Sequence, residues 1–213
     1  MRVKIAVLAA ATLVTAAGVG VGVILHSPDE PAPTRPSTTT LAQVDTTTIV
    51  VAREPFCDRL TNADVKAALA GEPTRTASYG DGDSATLTGA EGSVTDVAQE
   101  YGCTWTGPST AGTTTAGATA RAWVFAPPVT LAWARQMSAR APKGCHAQQG
   151  PAYGRPTLAF TCTSQRRSTV SYRGLFGDAW LSCELTGRPG EAASEITERA
   201  GRWCLAVARA ATA

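Results

Sequence analysis

The stretch 179-AWLSCELTGRPGEAASEITERAGRWCLAVA-208 holds a strand, a break and a helix, with one cysteine on each side of the break. Ala179, Leu181, Cys183 and Leu185 fall on alternate positions, the period of a strand with one packed face. Gly187-Arg188-Pro189-Gly190 ends that strand. A helix is predicted near Glu191 to Ala210, with Ile196, Ala200, Trp203, Cys204 and Val207 forming its apolar stripe. Glu191, Glu195 and Glu198 crowd its first turns, and Arg199, Arg202 and Arg209 the later ones, an order that suits the helix dipole. A helix laid on the sheet brings Cys183 to Cys204.

Working back along the chain, further strands are predicted. Val170 and Tyr172 alternate in one, and Gly174 to Gly177 is expected to turn the chain after it. Gln165-Arg166-Arg167-Ser168 reads as a hairpin turn, preceded by a strand over 157–163 with Leu158, Phe160 and Cys162 on one face. Arg121, Trp123 and Phe125 alternate with Ala120, Ala122 and Val124, and Tyr101, Cys103 and Trp105 with Gly102, Thr104 and Thr106. A helix from Thr130 carries Val129, Trp133, Met137 and Arg140 at helical spacing, a stripe expected in the core. A first helix over 62–70 has Thr61 as cap and Asp64 three residues on, while Leu60 and Val65 fit a hydrophobic staple. Gly71 is its expected stop. Residues 71–100 read as a glycine-rich acidic loop. Asp81-Gly82-Asp83-Ser84 lacks the full ligand spacing of a calcium loop. The fold class expected is α+β: an antiparallel sheet of about five or six strands with packed helices and three disulfides.

All six cysteines, Cys57, Cys103, Cys145, Cys162, Cys183 and Cys204, lie after residue 56. The even count reads as three disulfides in an oxidising compartment, since close Cys or His pairs for a metal are missing. Cys57 and Cys103 are placed to tie the first helix to the sheet, which leaves Cys145–Cys162 by subtraction.

The N-terminal end supplies an address. Residues 1–4 include Arg2 and Lys4, and 5–25 are an uncharged apolar run of 21 residues. As a helix such a run spans about 31 Å, close to the hydrocarbon core of a bilayer. The cationic start and the acids at Asp29 and Glu30 put the N-terminus in the cytoplasm. A single-pass membrane anchor is therefore expected, with a cleaved signal peptide as the competing reading. Residues 26–52 are a Ser/Thr/Pro-rich tether, expected to be extended and without a core of its own, although Ile49-Val50-Val51 also suits a first strand. Residues 53–213 form the extracytoplasmic α+β domain.

Cys57-Asp58-Arg59-Leu60-Thr61, Gly102-Cys103-Thr104-Trp105 and the closing Gly177-Asp178-Ala179-Trp180 strand resemble a broad group of actinobacterial exported envelope proteins, many of them lipoproteins. The resemblance spans about residues 55–213. It implies a sheet-and-helix envelope domain without known activity and supports the Cys57–Cys103 pairing. This chain departs from the group in having no lipid-attachment cysteine after its apolar run.

Composition narrows the chemistry. The net charge of +2 is too small to imply a polyanionic partner. From Tyr101 to Gly177, however, there is no acid and there are eight bases: Arg121, Arg135, Arg140, Lys143, Arg155, Arg166, Arg167 and Arg173. If they converge they form an anion site, for an anionic envelope polymer or a partner protein. If they are spread over solvated faces they balance the acidic loop. His146 is the lone histidine of the domain and reads as an exposed loop residue rather than a catalytic base. No pair of carboxylates is nominated for glycosidase chemistry, and no P-loop, dinucleotide fingerprint or zincin motif occurs. No cofactor or metal is expected, and export removes nucleic acid as a partner. The expected function is a membrane-anchored binding, sensing or interaction module of the envelope. An envelope enzyme with an unidentified carboxylate site and a passive spacer are the competing classes.

Overall fold

The computed structural model describes residues 38–89, 92–109 and 116–212. The expected anchor at 5–25 and the first part of the tether lie outside them. Among the described residues no helix is long and apolar enough to cross a membrane.

The described residues form nine strands and three α-helices. In order these are α1 (Asn62–Leu69), β1 (Thr74–Tyr79), β2 (Ser84–Gly89), β3 (Gly92–Val97), β4 (Glu100–Thr106), β5 (Thr119–Phe125), α2 (Leu131–Ser138), β6 (Cys145–Ala147), β7 (Thr157–Ser164), β8 (Arg167–Phe176), β9 (Ala179–Thr186) and α3 (Ala193–Ala210). Seven strands make one sheet in the order β1-β4-β5-β9-β8-β7-β6, with every neighbouring pair antiparallel; β2 and β3 form a separate ribbon. The class is α+β, as the alternation predicts, with more strands than the five or six expected.

One additional strand, β6, forms where a loop around Cys145 was expected; the others come from the 71–100 segment, read as a loop because its residues are small, polar and acidic. Its strands find their hydrogen bonds at the sheet edge and in each other, where burial of side chains is not required. Every residue of β1 from Thr74 to Ser78 is exposed. Asp81-Gly82-Asp83 is the kink between β1 and the ribbon: the Asp83 carboxylate accepts from Gly80 N–H at 2.7 Å, and Gly82 and Ala98 share a backbone bond.

One face of the sheet carries the main core. Ala120, Ala122 and Val124 of β5 face it beside Leu181, Cys183 and Leu185 of β9 and Val170 and Tyr172 of β8. The α3 stripe Ile196, Ala200, Trp203, Cys204 and Val207 is buried on this surface. Trp203 meets Trp105 edge-on at 5.6 Å and donates its indole N–H to Arg121 O at 3.3 Å. Gly174 lies within β8 and not in a turn, correcting the sequence expectation. A Cβ there would stand 1.5 Å from Tyr153 O, so the glycine lets the 153–154 segment pass against the strand. The turn falls instead at Gly177 (φ 67°) and Asp178.

Helix α1 starts as its sequence dictates, with Thr61 Oγ1 accepting from Asp64 N–H at 3.1 Å. Leu60 and Val65 are both buried, as a staple requires. The left-handed residue at its end is Ala70 (φ 50°) rather than Gly71. Arginines satisfy the free carbonyls there. Arg199 donates to Ala68 O at 3.0 Å, and Arg188 to Leu69 O and Ala70 O at 3.3 and 3.0 Å. Arg199, nearly buried, is also ion-paired with Glu191.

The tether reading changes at Thr38. From there the chain is built onto the domain, correcting the expected boundary at 52. Leu41 is buried in the main core, and Thr46 is fully buried, donating to Ala152 O (2.8 Å) and accepting from Gly154 N–H (3.0 Å). A few anchors, Leu41, Thr46 and Val51 with Val44 and Ile49 against the core, suffice to order a polar segment, which average composition hides. Ile49-Val50-Val51 does not become a strand of the sheet: Val51 makes a single bridge to Thr212, and Val50 is exposed.

Three disulfides close the domain: Cys57–Cys103, Cys145–Cys162 and Cys183–Cys204. They tie the chain before α1 to β4, edge strand β6 to β7, and β9 to α3. Their sequence separations are 46, 17 and 21 residues. By loop entropy the longest contributes about 4 kcal/mol and each of the others about 3 kcal/mol. Replacing both Cys57 and Cys103 with alanine should therefore cost more in guanidinium unfolding than replacing Cys145 and Cys162. An unchanged melting temperature in excess reductant would show that the bridges are not what holds the fold.

The core also holds a hydroxyl without a partner among the described residues, that of fully buried Tyr153, packed edge-on to Phe176 at 5.0 Å. Burial pushes its pKa well above the ordinary tyrosine value and also raises that of Tyr172. Unfolded tyrosines ionise near pH 10, at about their free value. Native ones that hold their protons longer make stability present below that pH and lost as pH rises above it. Unfolding free energy should be flat to about pH 9.5 and then fall. Tyr153→Phe should flatten that fall without loss of stability at neutral pH, measured by urea denaturation across the alkaline range.

Candidate functional site

The opposite face of the sheet is built from the other half of each alternation, and antiparallel register sets its side chains in rows. One row runs Thr104, Arg121, Glu184, Ser171, Phe160 across β4, β5, β9, β8 and β7. The next runs Tyr79, Gly102, Trp123, Ser182, Arg173, Leu158, beginning on β1. Beyond it Glu100 opposes Phe125, and Leu175 opposes Trp180. Helix α2 covers that end through Val129, Ala134, Leu175 and Trp180, a second small core with Phe125 and Met137 against it. Trp133 stands outside this core at 43% exposure, and Arg140 lies exposed past the helix end, correcting the stripe expected there. Eight residues make barely two turns, too few to bury a stripe four positions wide.

Arg173 is the centre of this face. Its guanidinium lies over Phe160 at 4.8 Å and over Trp123 at 5.5 Å. Arg121 also lies over Trp123, at 5.3 Å, and pairs with Glu184 at 3.1 Å. Arg173 has no hydrogen-bond or ion-pair partner among the described residues, and its Nε is buried. The hydroxyls of Ser171 (0% exposed) and Ser182 (1%) are likewise buried without a partner there. Ser182 is directly across from Arg173, and Ser171 precedes it by two residues on the same strand face. Burial lowers the pKa of Arg173 from the ordinary arginine value; Glu184 opposes that shift, and Arg121 adds to it.

Tyr79 borders the site. Its hydroxyl donates to Glu100 Oε1 at 2.6 Å, and its ring lies over Gly102, where a Cβ would come within 2.5 Å. Only glycine lets the phenol lie flat on β4. Burial first, then the bond to Glu100, raises the tyrosine pKa, so the hydroxyl remains a donor; Arg121 lies close enough to oppose the shift.

Of the eight bases singled out from the sequence, the structure brings Arg121 and Arg173 together here. Arg135 and Arg155 line a separate cavity of about 640 Å³ with Leu131, Pro156 and Thr157. Arg140, Lys143 and Arg166 are exposed. Arg167 holds the fold, donating to Gly187 O at 2.9 Å and to Gly117 O at 2.8 Å. His146 lies exposed on β6 opposite Thr161. Among the described residues no group of three His, Cys, Asp or Glu is placed to hold a metal ion.

The sequence reading passed over Tyr79, Glu100, Trp123, Ser171, Ser182 and Glu184. A signal was present in β5, where Arg121, Trp123 and Phe125 share one face and three small or aliphatic residues the other. An arginine in step with aromatics marks a face that is not core. Comparison of the chain with protein-family models, characterised proteins and solved structures found no match.

A half-buried guanidinium with no carboxylate or carbonyl on it gains only its ring contacts, about 0.5–2 kcal/mol, against a cost of about 1–3 kcal/mol for an unmatched buried polar group. Arg173→Met keeps the stem and removes the charge. Its unfolding free energy should be unchanged or higher by about 1 kcal/mol. A loss above about 2 kcal/mol in chemical denaturation would make Arg173 a structural residue instead.

Proposed function

We propose that this chain is an envelope binding module that takes an anionic ligand on the open face of its sheet. One observation carries the reading: Arg173 is desolvated between Trp123 and Phe160 with its Nε and two adjacent serine hydroxyls unmatched. The Nη groups of this guanidinium offer donors to a carboxylate or phosphate without first breaking internal bonds, the preorganisation that makes binding efficient. Arg121 adds a second cation beside them, and Glu184 offsets part of it, so the centre has a small positive excess suited to one anionic group rather than a polyanion. Glu184 is held by Arg121 and Glu100 by Tyr79. Both carboxylates thus orient neighbours, which favours binding over an acid–base pair.

The three disulfides suit an oxidising, extracytoplasmic setting. In this reading the apolar run at 5–25 anchors the chain in the membrane, and the domain faces the envelope, in keeping with the exported proteins it resembles. The C-x-x-L-T and G-C-x-W motifs of that resemblance hold the two ends of the Cys57–Cys103 bridge.

Because Arg173 stacks on Trp123, occupancy should change indole fluorescence. Titration with acetate and with inorganic phosphate should give saturable changes in the wild-type chain, about tenfold weaker in Arg173→Met and absent with a neutral hexose. Equal responses in wild type and variant would sink the anion reading.

A further inference from the structure

A cleft of about 450 Å³ opens beside the arginine face, between the base of the β2–β3 ribbon and α2. Trp133, Phe125 and Pro127 form its apolar wall, with Val97, and Asp96 and Glu100 bring two carboxylates. Trp133 lies 6.1 Å from Phe125, tilted by 38°. Trp133 and Val97 are 43% and 49% exposed, so large apolar groups stand open to solvent next to acids. Aromatic faces beside carboxylates attract an ammonium or guanidinium group through the ring quadrupole and through charge.

The cleft and the arginine face adjoin through Glu100 and through β5. Glu100 lines the cleft and receives the Tyr79 hydroxyl, which in turn lies near Arg121. Phe125 is two residues along β5 from Trp123, whose ring is shared by both arginines. From the row of Phe125 to Arg173, two strands across and two residues along, the spacing of a sheet gives about 12 Å. The two regions taken together are therefore bipolar, with donors and positive charge at one end, carboxylates and an aromatic wall at the other.

We propose that the ligand is a short zwitterionic peptide, its terminal carboxylate on Arg173 and Arg121 and an ammonium group in the cleft between Trp133 and the carboxylates of Asp96 and Glu100. This rests on the anion-binding reading above and specifies its ligand. An extended peptide rises about 3.3–3.6 Å per residue, so three or four residues bridge the two ends. A polymer with an anion on every unit is repelled at Asp96 and Glu100, and a neutral chain leaves the guanidinium unmatched. A free terminal carboxylate supplies the acceptors that the Arg173 guanidinium lacks, a recurrent mode of peptide capture.

The test is calorimetric titration of the full chain with lysyl-alanyl-alanine, its C-terminal amide, its fully acetylated form, acetate and a uronic-acid disaccharide. The free tripeptide should bind at least about tenfold more tightly than acetate. Amidation should cost about tenfold in the wild type and almost nothing in Arg173→Met, with Arg121→Met as a second variant at the same end. Acetylation should cost about fivefold in the wild type and nothing further in Trp133→Ala or Asp96→Asn, two exposed positions that do not touch the main core. If acetate binding depends on Arg173 but the tripeptide binds no better than acetate, or neither cleft variant changes the amine dependence, the peptide assignment fails while the anion site stands. A tighter disaccharide makes the occupant an acidic glycan and overturns the proposal. If neither acetate nor tripeptide responds to Arg173→Met, both readings fall together.

Discussion

The burial of α3 against the sheet is the constraint on which the rest of the domain depends. Its apolar stripe covers β8 and β9, takes α1 and Leu41 onto its flanks, and is bolted to β9 through Cys204. A helix of 18 residues spans about 27 Å, enough to cross several strands. With one face so fully covered, the opposite face is free of the need to be apolar. Each central strand therefore alternates aliphatic residues inward with arginine, serine, glutamate and aromatics outward.

That division explains how a domain of this size can carry a cluster of unmatched polar atoms. Arg173, Ser171 and Ser182 make no contribution to stability through hydrogen bonds, and a marginally stable protein tolerates few such groups. The three bridges limit the unfolded ensemble and supply a margin. They also fix the frame on which the open face is displayed: two anchor a segment to a strand from the helix side, and the third closes the β6 edge. Helix α2 is the exception, resting on the open face through Val129 and Ala134 and leaving Trp133 beside the ribbon. The cleft exists because this short helix covers one end of the face and no more.

Much of the architecture was legible in the residues. Period-two alternation in β4, β5, β7 and β9, the Thr61 cap, the Gln165-Arg166 hairpin and the α3 stripe all follow from local geometry, and the bridge between Cys183 and Cys204 follows from placing that stripe on that strand. The β1–β3 segment was not legible, because edge and ribbon strands are held by backbone bonds that small polar side chains neither favour nor oppose. The packed segment around Leu41 and Thr46 was hidden for a related reason: a few buried side chains do not alter the composition of a Ser/Thr/Pro-rich stretch.

The candidate site was half visible. A charge count singled out Arg121 and Arg173, but with equal weight it singled out Arg167, which clamps two carbonyls, and Lys143, which stands in solvent. What the sequence by itself determined is which residues alternate and which helix has an apolar stripe, since these depend only on neighbours a few positions away. Tertiary structure alone decided that Ser171, Ser182, Arg173, Trp123 and Glu184 share one patch. Cross-strand register joins positions up to about sixty residues apart, and the energy that sets it comes from the opposite, apolar face.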